Sequence, residues 1–305
     1  MHDIQVIRHT KKTQQYSSKM QYAFTLWTNT NMSTPMASSC YYHPNLLGVL
    51  GSLSFLYTSL LQTASILPFC KSIKKENILL IQDTFDVTKT KRPLAIVTGS
   101  NTGVGYETAY ALVEKGYDVI LACRSRSKGE EAAERINESS NMKGKAMFLY
   151  PLDLSDLESV QSFARSFLND EVSETGLNIL VNNAGINTTG KSMQGYDLCF
   201  QTNFVGHYLL TLLLLPKLQM AENYHYNGKK ENGRVANLSS VMHHYQLSKG
   251  KDMTLESWWK RCIVPDMSSN TYSESKLAMI FFTIELNKRF GSMGVHSIAA
   301  NPGAV

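Results

Sequence analysis

Leu94-Ala95-Ile96-Val97-Thr98-Gly99-Ser100-Asn101-Thr102-Gly103-Val104-Gly105 joins an apolar run to a glycine-rich turn. The run is short, uninterrupted and rich in β-formers, which reads as a buried strand. A helical pattern follows over residues 106–115, and Gly116 closes it as a C′ glycine does. Strand, glycine turn and helix in this order make a phosphate-binding context. Glycines let the backbone approach a pyrophosphate, whose charge rests on the helix N-terminus. The spacing is G-x-x-x-G-x-G and no Lys follows the last Gly, so a P-loop is excluded. Thr98, Gly99, Ser100, Asn101, Thr102, Gly103, Val104 and Gly105 are therefore candidate cofactor-binding residues.

The alternation continues downstream. Strands are expected over 118–123, 145–151, 177–181, 234–238 and 295–300. Helices are expected over 129–139, 155–168 and 195–220, with another beginning at Tyr272. Such β-α repetition predicts an α/β fold, a Rossmann-like doubly wound parallel sheet in a single domain over 93–305. Ligands in open α/β sheets sit at the C-terminal edges of the strands. That rule adds Asp153, Leu154, Asn182, Ala184 and Gly185 to the candidate cofactor site. At the end of the second strand an NAD site would place an acid for the ribose. This chain has Arg124 and Ser125 there, and a guanidinium suits a 2′-phosphate, so the expected cofactor is NADP(H).

Tyr272 and Lys276 are four apart, so on a helix they leave the same face. A phenol is protonated at neutral pH, but a cation beside it favours the phenolate, and such a pair exchanges protons near pH 7. Ser239 and Ser240 end the strand expected over 234–238. Asn203 stands inside an otherwise apolar helix, where it is costly unless hydrogen-bonded. The connection over 241–270 is long enough to suggest function. Its Trp258-Trp259-Lys260-Arg261 suits a pocket wall or a membrane-facing patch.

Charge is unevenly spread. Residues 4–75 hold seven Lys or Arg and no acid, whereas the rest of the chain is close to neutral. A near-neutral body argues against nucleic acid as a partner. Residues 1–45 read as a basic, acid-poor arm or targeting segment, and 76–92 as a linker. Within 46–75, residues 46–70 are uncharged and long enough to span a bilayer, and Lys71, Lys74 and Lys75 follow. That flank favours a cytoplasmic body. A membrane anchor is one reading of this segment; an organellar transit or signal segment and a soluble cap helix are the others. The cysteines Cys40, Cys70, Cys123, Cys199 and Cys262 are far apart and odd in number, without metal-ligand spacing. Reduced thiols and no metal are expected.

Together these motifs resemble the short-chain dehydrogenase/reductase family over about residues 93–305. The matching segments are Thr98 to Gly105, Asp153-Leu154, Asn182-Asn183-Ala184-Gly185, Asn203, Ser240, Tyr272-x-x-Ser275-Lys276 and Asn301-Pro302-Gly303. The segments Ala122-Cys123-Arg124-Ser125, Asn203-Phe204-Val205-Gly206-His207-Tyr208 and Ser239-Ser240-Val241-Met242-His243-His244 resemble the retinol-dehydrogenase-like branch. The resemblance implies an NADP(H)-dependent oxidoreductase that interconverts an alcohol and a carbonyl on a lipophilic, retinoid- or steroid-like substrate. It implies Tyr272 as proton donor or acceptor and Lys276 as its activator and ribose contact. Ser240 would bond the substrate oxygen, and Asn203 would organise a water or backbone group behind Lys276. Pro302 and Gly303 join the cofactor site on the same basis. His243 and His244 are read as structural.

The branch further implies membrane association, on the endoplasmic reticulum or another organelle with the body facing the cytosol. A plastid or mitochondrion is the alternative. Pairing through the helices that carry Asn203 and Tyr272 would give a homodimer. The family pattern continues past Gly303 into a substrate-covering lid and a further strand, so the chain reads as C-terminally incomplete. Two other functional readings stand beside the first: an inactive nucleotide-binding relative or fragment, and a plastid reductase of a chlorophyll precursor.

Overall fold

The computed structural model describes residues 92–139, 143–221, 225–226, 229–230, 232–245, 262–268 and 271–303. The segments 1–45, 46–75 and nearly all of 76–92, like Trp258-Trp259-Lys260-Arg261, lie outside the described residues. The described residues of the body fall within one compact unit.

Six parallel strands form the body. They are β1 (Leu94–Thr98), β2 (Asp118–Ala122), β3 (Lys145–Met147), β4 (Ile179–Asn182), β5 (Gly233–Leu238) and β6 (Val295–Ala300). Their order in the sheet is β3-β2-β1-β4-β5-β6, and every pairing is parallel. The helices between them are α1 (Gly103–Glu114), α2 (Arg126–Asn137), α3 (Leu157–Leu168), α4 (Leu198–Met220) and α5 (Tyr272–Phe290). The chain builds outward from β1 through β2 to β3, then returns to place β4 on the other side of β1. The crevice beyond the C-terminal ends of β1 and β4 is the topological switch point, where such sheets bind ligands.

Both faces of the sheet are covered, so its strands read as continuous apolar runs rather than alternating ones. Ala95, Val97, Val119, Leu121, Ile179 and Val181 pack in one core cluster with Ala109, Leu112 and Val113 of α1 and Ile136 of α2. Residues one step out of phase face the other side, as the two-residue period of a strand requires. There Thr98 bonds His207 of α4, Asn182 bonds Thr211 of α4, and Asn237 bonds Thr283 of α5. Ile96, Ile120 and Leu180 are fully buried, each worth roughly 1.5–3 kcal/mol relative to exposure.

Element boundaries differ from the sequence reading where local chemistry intervenes. Helix α1 begins at Gly103, inside the glycine turn, and α2 at Arg126, with Ser125 as its N-cap. Strand β3 ends at Met147, where its register with β2 stops at Ile120. Helix α4 cannot begin at Gly195, whose φ is +84°. It begins at Leu198 behind the N-cap Asp197, whose side chain accepts from Phe200 N at 2.8 Å. Residues Gln201–Val205 of α4 form a π turn, and the Gly206 amide reaches back to Gln201 O. α4 is long and apolar enough to cross a membrane, but most of it is buried in the body. It serves here as a core helix.

Candidate active site

The crevice has a volume of about 770 Å³, within the range usual for ligand pockets. The glycine turn forms one wall. A Cβ on Gly105 would lie 2.3 Å from Gly99 O and 2.4 Å from Asn183 Nδ2, and one on Gly99 would lie 2.9 Å from Ala184 Cβ. Neither position has room for a larger residue. Gly99 and Gly103 have φ of +63° and +59°, a region that favours glycine. Asn101, Thr102 and Val104 also line the crevice, whereas Gly103 does not.

At the far end Arg124 lines the crevice and is exposed. Ser125 does not line it; its hydroxyl accepts from Lys128 N at 3.4 Å. Asp153 and Leu154 line the same end, where Leu152 N donates to Cys123 O at 3.0 Å. The Asp153 Oδ1 oxygen accepts from Ser155 N at 2.9 Å and Ser155 Oγ at 2.6 Å. Ala184 and Gly185 lie at the switch point beside Asn183, whose Nδ2 donates to Thr98 O at 2.7 Å. Pro302 lines the crevice and Gly303 does not.

Three of the sequence candidates turn inward instead. The Ser100 hydroxyl donates to Val97 O at 2.8 Å and holds the turn from behind. Asn182 is buried and donates to Thr211 Oγ1 at 3.0 Å and Asn237 Oδ1 at 2.8 Å, tying β4 to α4 and β5. Thr98 is also buried, and its Oγ1 accepts from Asn183 N at 2.9 Å and Ala184 N at 3.0 Å. The same hydroxyl meets His207 Nε2 at 2.9 Å. His207 Nδ1 faces Asn203 O at 2.9 Å, and a carbonyl only accepts. The ring is therefore the Nδ1–H tautomer, and Thr98 donates to Nε2. Burial holds the His207 imidazole down at about 4, against the smaller opposing effect of its bond to Asn203, so it is neutral at pH 7. Nothing in the sequence reading assigned His207 a part; its place one helical turn after Asn203 was the available signal.

Tyr272 and Lys276 line the crevice together from the first turn of α5. Lys276 Nζ lies 5.5 Å from the centre of the Tyr272 ring and donates to Leu238 O at 3.0 Å. Burial pushes the ammonium down to about 8, well below the ordinary lysine value. Asn203 is almost fully buried, and its amide is fully engaged. Oδ1 accepts from Ile186 N at 2.8 Å, and Nδ2 donates to Ile186 O at 2.9 Å and Ser275 Oγ at 3.0 Å. Asn203 thus clamps a backbone group of the loop after β4. Its Oδ1 and Lys276 Nζ both lie 3.4 Å from the point where a Cβ on Gly185 would stand. π turns recur at functional sites, and this one carries Asn203.

Ser240 is half-buried just beyond β5; Ser239 and not Ser240 lines the crevice, and Ser239 Oγ donates to Lys276 O at 2.9 Å. His243 and His244 lie with ring centres 3.9 Å apart and planes tilted by 37°, and His243 Nδ1 bonds Ser240 O. Sequence reasoning also passed over Asn187, Thr188, Leu198 and Thr202, which line the crevice from the loop after β4 and from α4. The described cysteines Cys123, Cys199 and Cys262 are free thiols, and no metal-binding cluster occurs among the described residues.

A family model described as short chain dehydrogenase matches residues 93–251, just over half of the chain. The chain belongs to the short-chain dehydrogenase family. This is a family of oxidoreductases, and within it the chain is similar to retinol dehydrogenases. Retinol dehydrogenase 12 of Mus musculus is 38% identical over 214 residues, covering 70% of this chain and 61% of that protein. A short-chain dehydrogenase/reductase of Armillaria gallica is 37% identical over 226 residues, covering 72% and 67% of the two chains. The present short-chain dehydrogenase spans 61% of the length of the retinol dehydrogenases it matches. Its fold is that of a short-chain dehydrogenase from Sphingobium yanoikuyae in complex with NADPH, with a TM-score of 0.51 and 19% identity over 70% of this chain and 71% of that one.

Proposed function

We propose that the protein is an NADP(H)-dependent oxidoreductase that interconverts an alcohol and a carbonyl on a small lipophilic substrate. The observation that carries this reading is one crevice lined at once by the glycine turn, Arg124, Tyr272 and Lys276. The residues fit a dinucleotide. Gly99 and Gly105 leave a cradle that a side chain would fill, and α1 begins beside it, its N-terminus favouring phosphate charge. Arg124 at the far lip suits a 2′-phosphate rather than a bare ribose.

The nicotinamide cofactor supplies or accepts the hydride when bound. In reduction, the Tyr272 hydroxyl gives its proton to the substrate oxygen; in oxidation the phenolate takes one. Lys276, its proton loosened by burial, favours the phenolate electrostatically and moves the proton on. Ser240, just beyond the crevice lining, would meet the substrate oxygen only where the substrate reaches past the crevice at the end of β5, and Asn203 fixes the loop wall that faces Lys276. A retinoid-like substrate agrees with the naming of the relatives as retinol dehydrogenases.

Tyr272→Phe tests the reading, since it removes only a hydroxyl from a half-buried ring. Turnover with NADPH and a retinoid or steroid carbonyl panel should fall at least about a hundredfold, with NADPH affinity retained. Full turnover in this variant would refute the proton-donor assignment.

A further inference from the structure

The two helices of the site are joined at their N-termini by a contact that the proposed chemistry does not use. Asp197 is fully buried. Its Oδ1 accepts from Phe200 N at 2.8 Å, capping α4, and from Thr271 Oγ1 at 2.6 Å. Thr271 immediately precedes Tyr272, and its carbonyl accepts from Ser275 N at 2.8 Å in the first turn of α5. Ser275 in turn donates to Tyr272 O at 2.7 Å and accepts from Asn203 Nδ2 at 3.0 Å. The Asp197 amide donates to Ile263 O at 3.0 Å. One residue therefore holds both Ile263 and Thr271, late in the connection from β5 to α5.

A threonine at a helix start ordinarily uses its hydroxyl to cap its own helix. Thr271 makes no such cap; its hydroxyl is spent on a residue 74 positions away. Its distance of 2.6 Å suits a charge-assisted bond. The other carboxylate oxygen of Asp197 is buried without a hydrogen-bond partner, a costly arrangement that persists only where surrounding structure imposes it.

We propose that the Asp197–Thr271 pair is a positioning brace for Tyr272 and Lys276. It fixes the first turn of α5 against the start of α4, and so sets where the Tyr272 hydroxyl stands relative to the loop that Asn203 clamps. Neither residue of the pair lines the crevice. The proposal rests on the reading of Tyr272 as the proton donor given above. Cys199, the second residue of α4, feels the same carboxylate: burial first, and then Asp197, raise its thiol to about 11.

The test uses the full chain with three substitutions: Thr271→Val, Thr271→Ser and Tyr272→Phe. Valine keeps the shape of threonine and deletes the hydroxyl; serine keeps the hydroxyl. Thr271→Val should lower kcat about ten- to a hundredfold, the range for a small misplacement of a reacting group, with KM for NADPH changed less than about threefold. Amide hydrogen exchange should rise in a peptide covering 272–277 and stay unchanged in β1 and α1. Thr271→Ser should restore both readouts, which lost packing alone would not do. Unchanged exchange over 272–277 in Thr271→Val overturns the brace. So does unchanged kcat in Thr271→Val when Tyr272→Phe is inactive. An active Tyr272→Phe enzyme instead refutes the proton-donor reading, and exchange then still decides whether the brace exists.

Discussion

Replacing Lys276 with Met should make the cofactor-free protein more stable at neutral pH while removing its chemistry. Lys276 is 5% exposed, donates to Leu238 O at 3.0 Å, and forms no salt bridge among the described residues. Burial lowers its ammonium from 10.5 to about 8, a gap of about 2.5 units, or about 3 kcal/mol at 1.36 kcal/mol per unit. The unfolded chain keeps this proton up to about pH 10.5, and the folded chain only to about 8. The cost of burying the charge is therefore full below about pH 8 and vanishes as pH rises to about 10.5. Met fills similar space but leaves the Leu238 carbonyl without its ammonium partner, a penalty of about 1–2 kcal/mol at any pH. The two terms leave Lys276→Met ahead by about 1–2 kcal/mol at pH 7 and behind by a similar amount near pH 10.5. Urea unfolding of both proteins without cofactor, at the two pH values, measures the crossing. A Met variant that is less stable at pH 7, or a difference that does not move with pH, refutes the account of a strained, functional ammonium.

Arg124→Ala should weaken NADP(H) binding by on the order of 1.5–3 kcal/mol and leave NAD(H) nearly unchanged; titration with both cofactors checks this, and equal losses would remove Arg124 from the 2′-phosphate. His207 is neutral in the fold because burial holds it at about 4, so its contribution is intact above about pH 6.5 and is lost as pH falls toward about 4. Wild-type stability should drop by up to about 3 kcal/mol across that window, and His207→Gln should lack this component in the same urea series. Residues 46–70, uncharged and followed by lysines, should hold the full chain on membranes through a carbonate wash; recovery in the soluble fraction would refute the anchor.

The sheet was readable because its strands are continuous apolar runs ending in glycine or polar turns, a signal contained in each segment. Tyr272 and Lys276 were readable for a related reason, since four residues on a helix is a local spacing. Strand phase was not readable. In a sheet buried on both faces the apolar run carries no alternation, so nothing in Val181-Asn182-Asn183 says which amide meets the crevice. Asn182 turns to Thr211 and Asn237, while Asn183, beyond the strand, reaches the glycine turn. Thr98 and Ser100 belong to the glycine-turn motif in sequence yet bond away from the crevice, behind the turn. Asn203 was flagged by cost alone, a polar residue in an apolar helix, and its partners in the loop after β4 and at Ser275 became visible only in three dimensions.

The π turn in α4 gives that helix two phases. Leu198 ahead of it and Thr202 within it line the crevice, and behind it Leu210 and Leu214 are buried in the body. Each residue of an α-helix advances the facing direction by about 100°, so the extra residue in Gln201–Val205 acts as a phase shifter between the start of α4 and the rest of it. Substitutions along α4 change what is presented at one point. An insertion or deletion within the π turn rotates everything on one side of it, and would swing either Leu198 from the crevice or His207 from Thr98. For this helix the count of residues carries as much information as their identity.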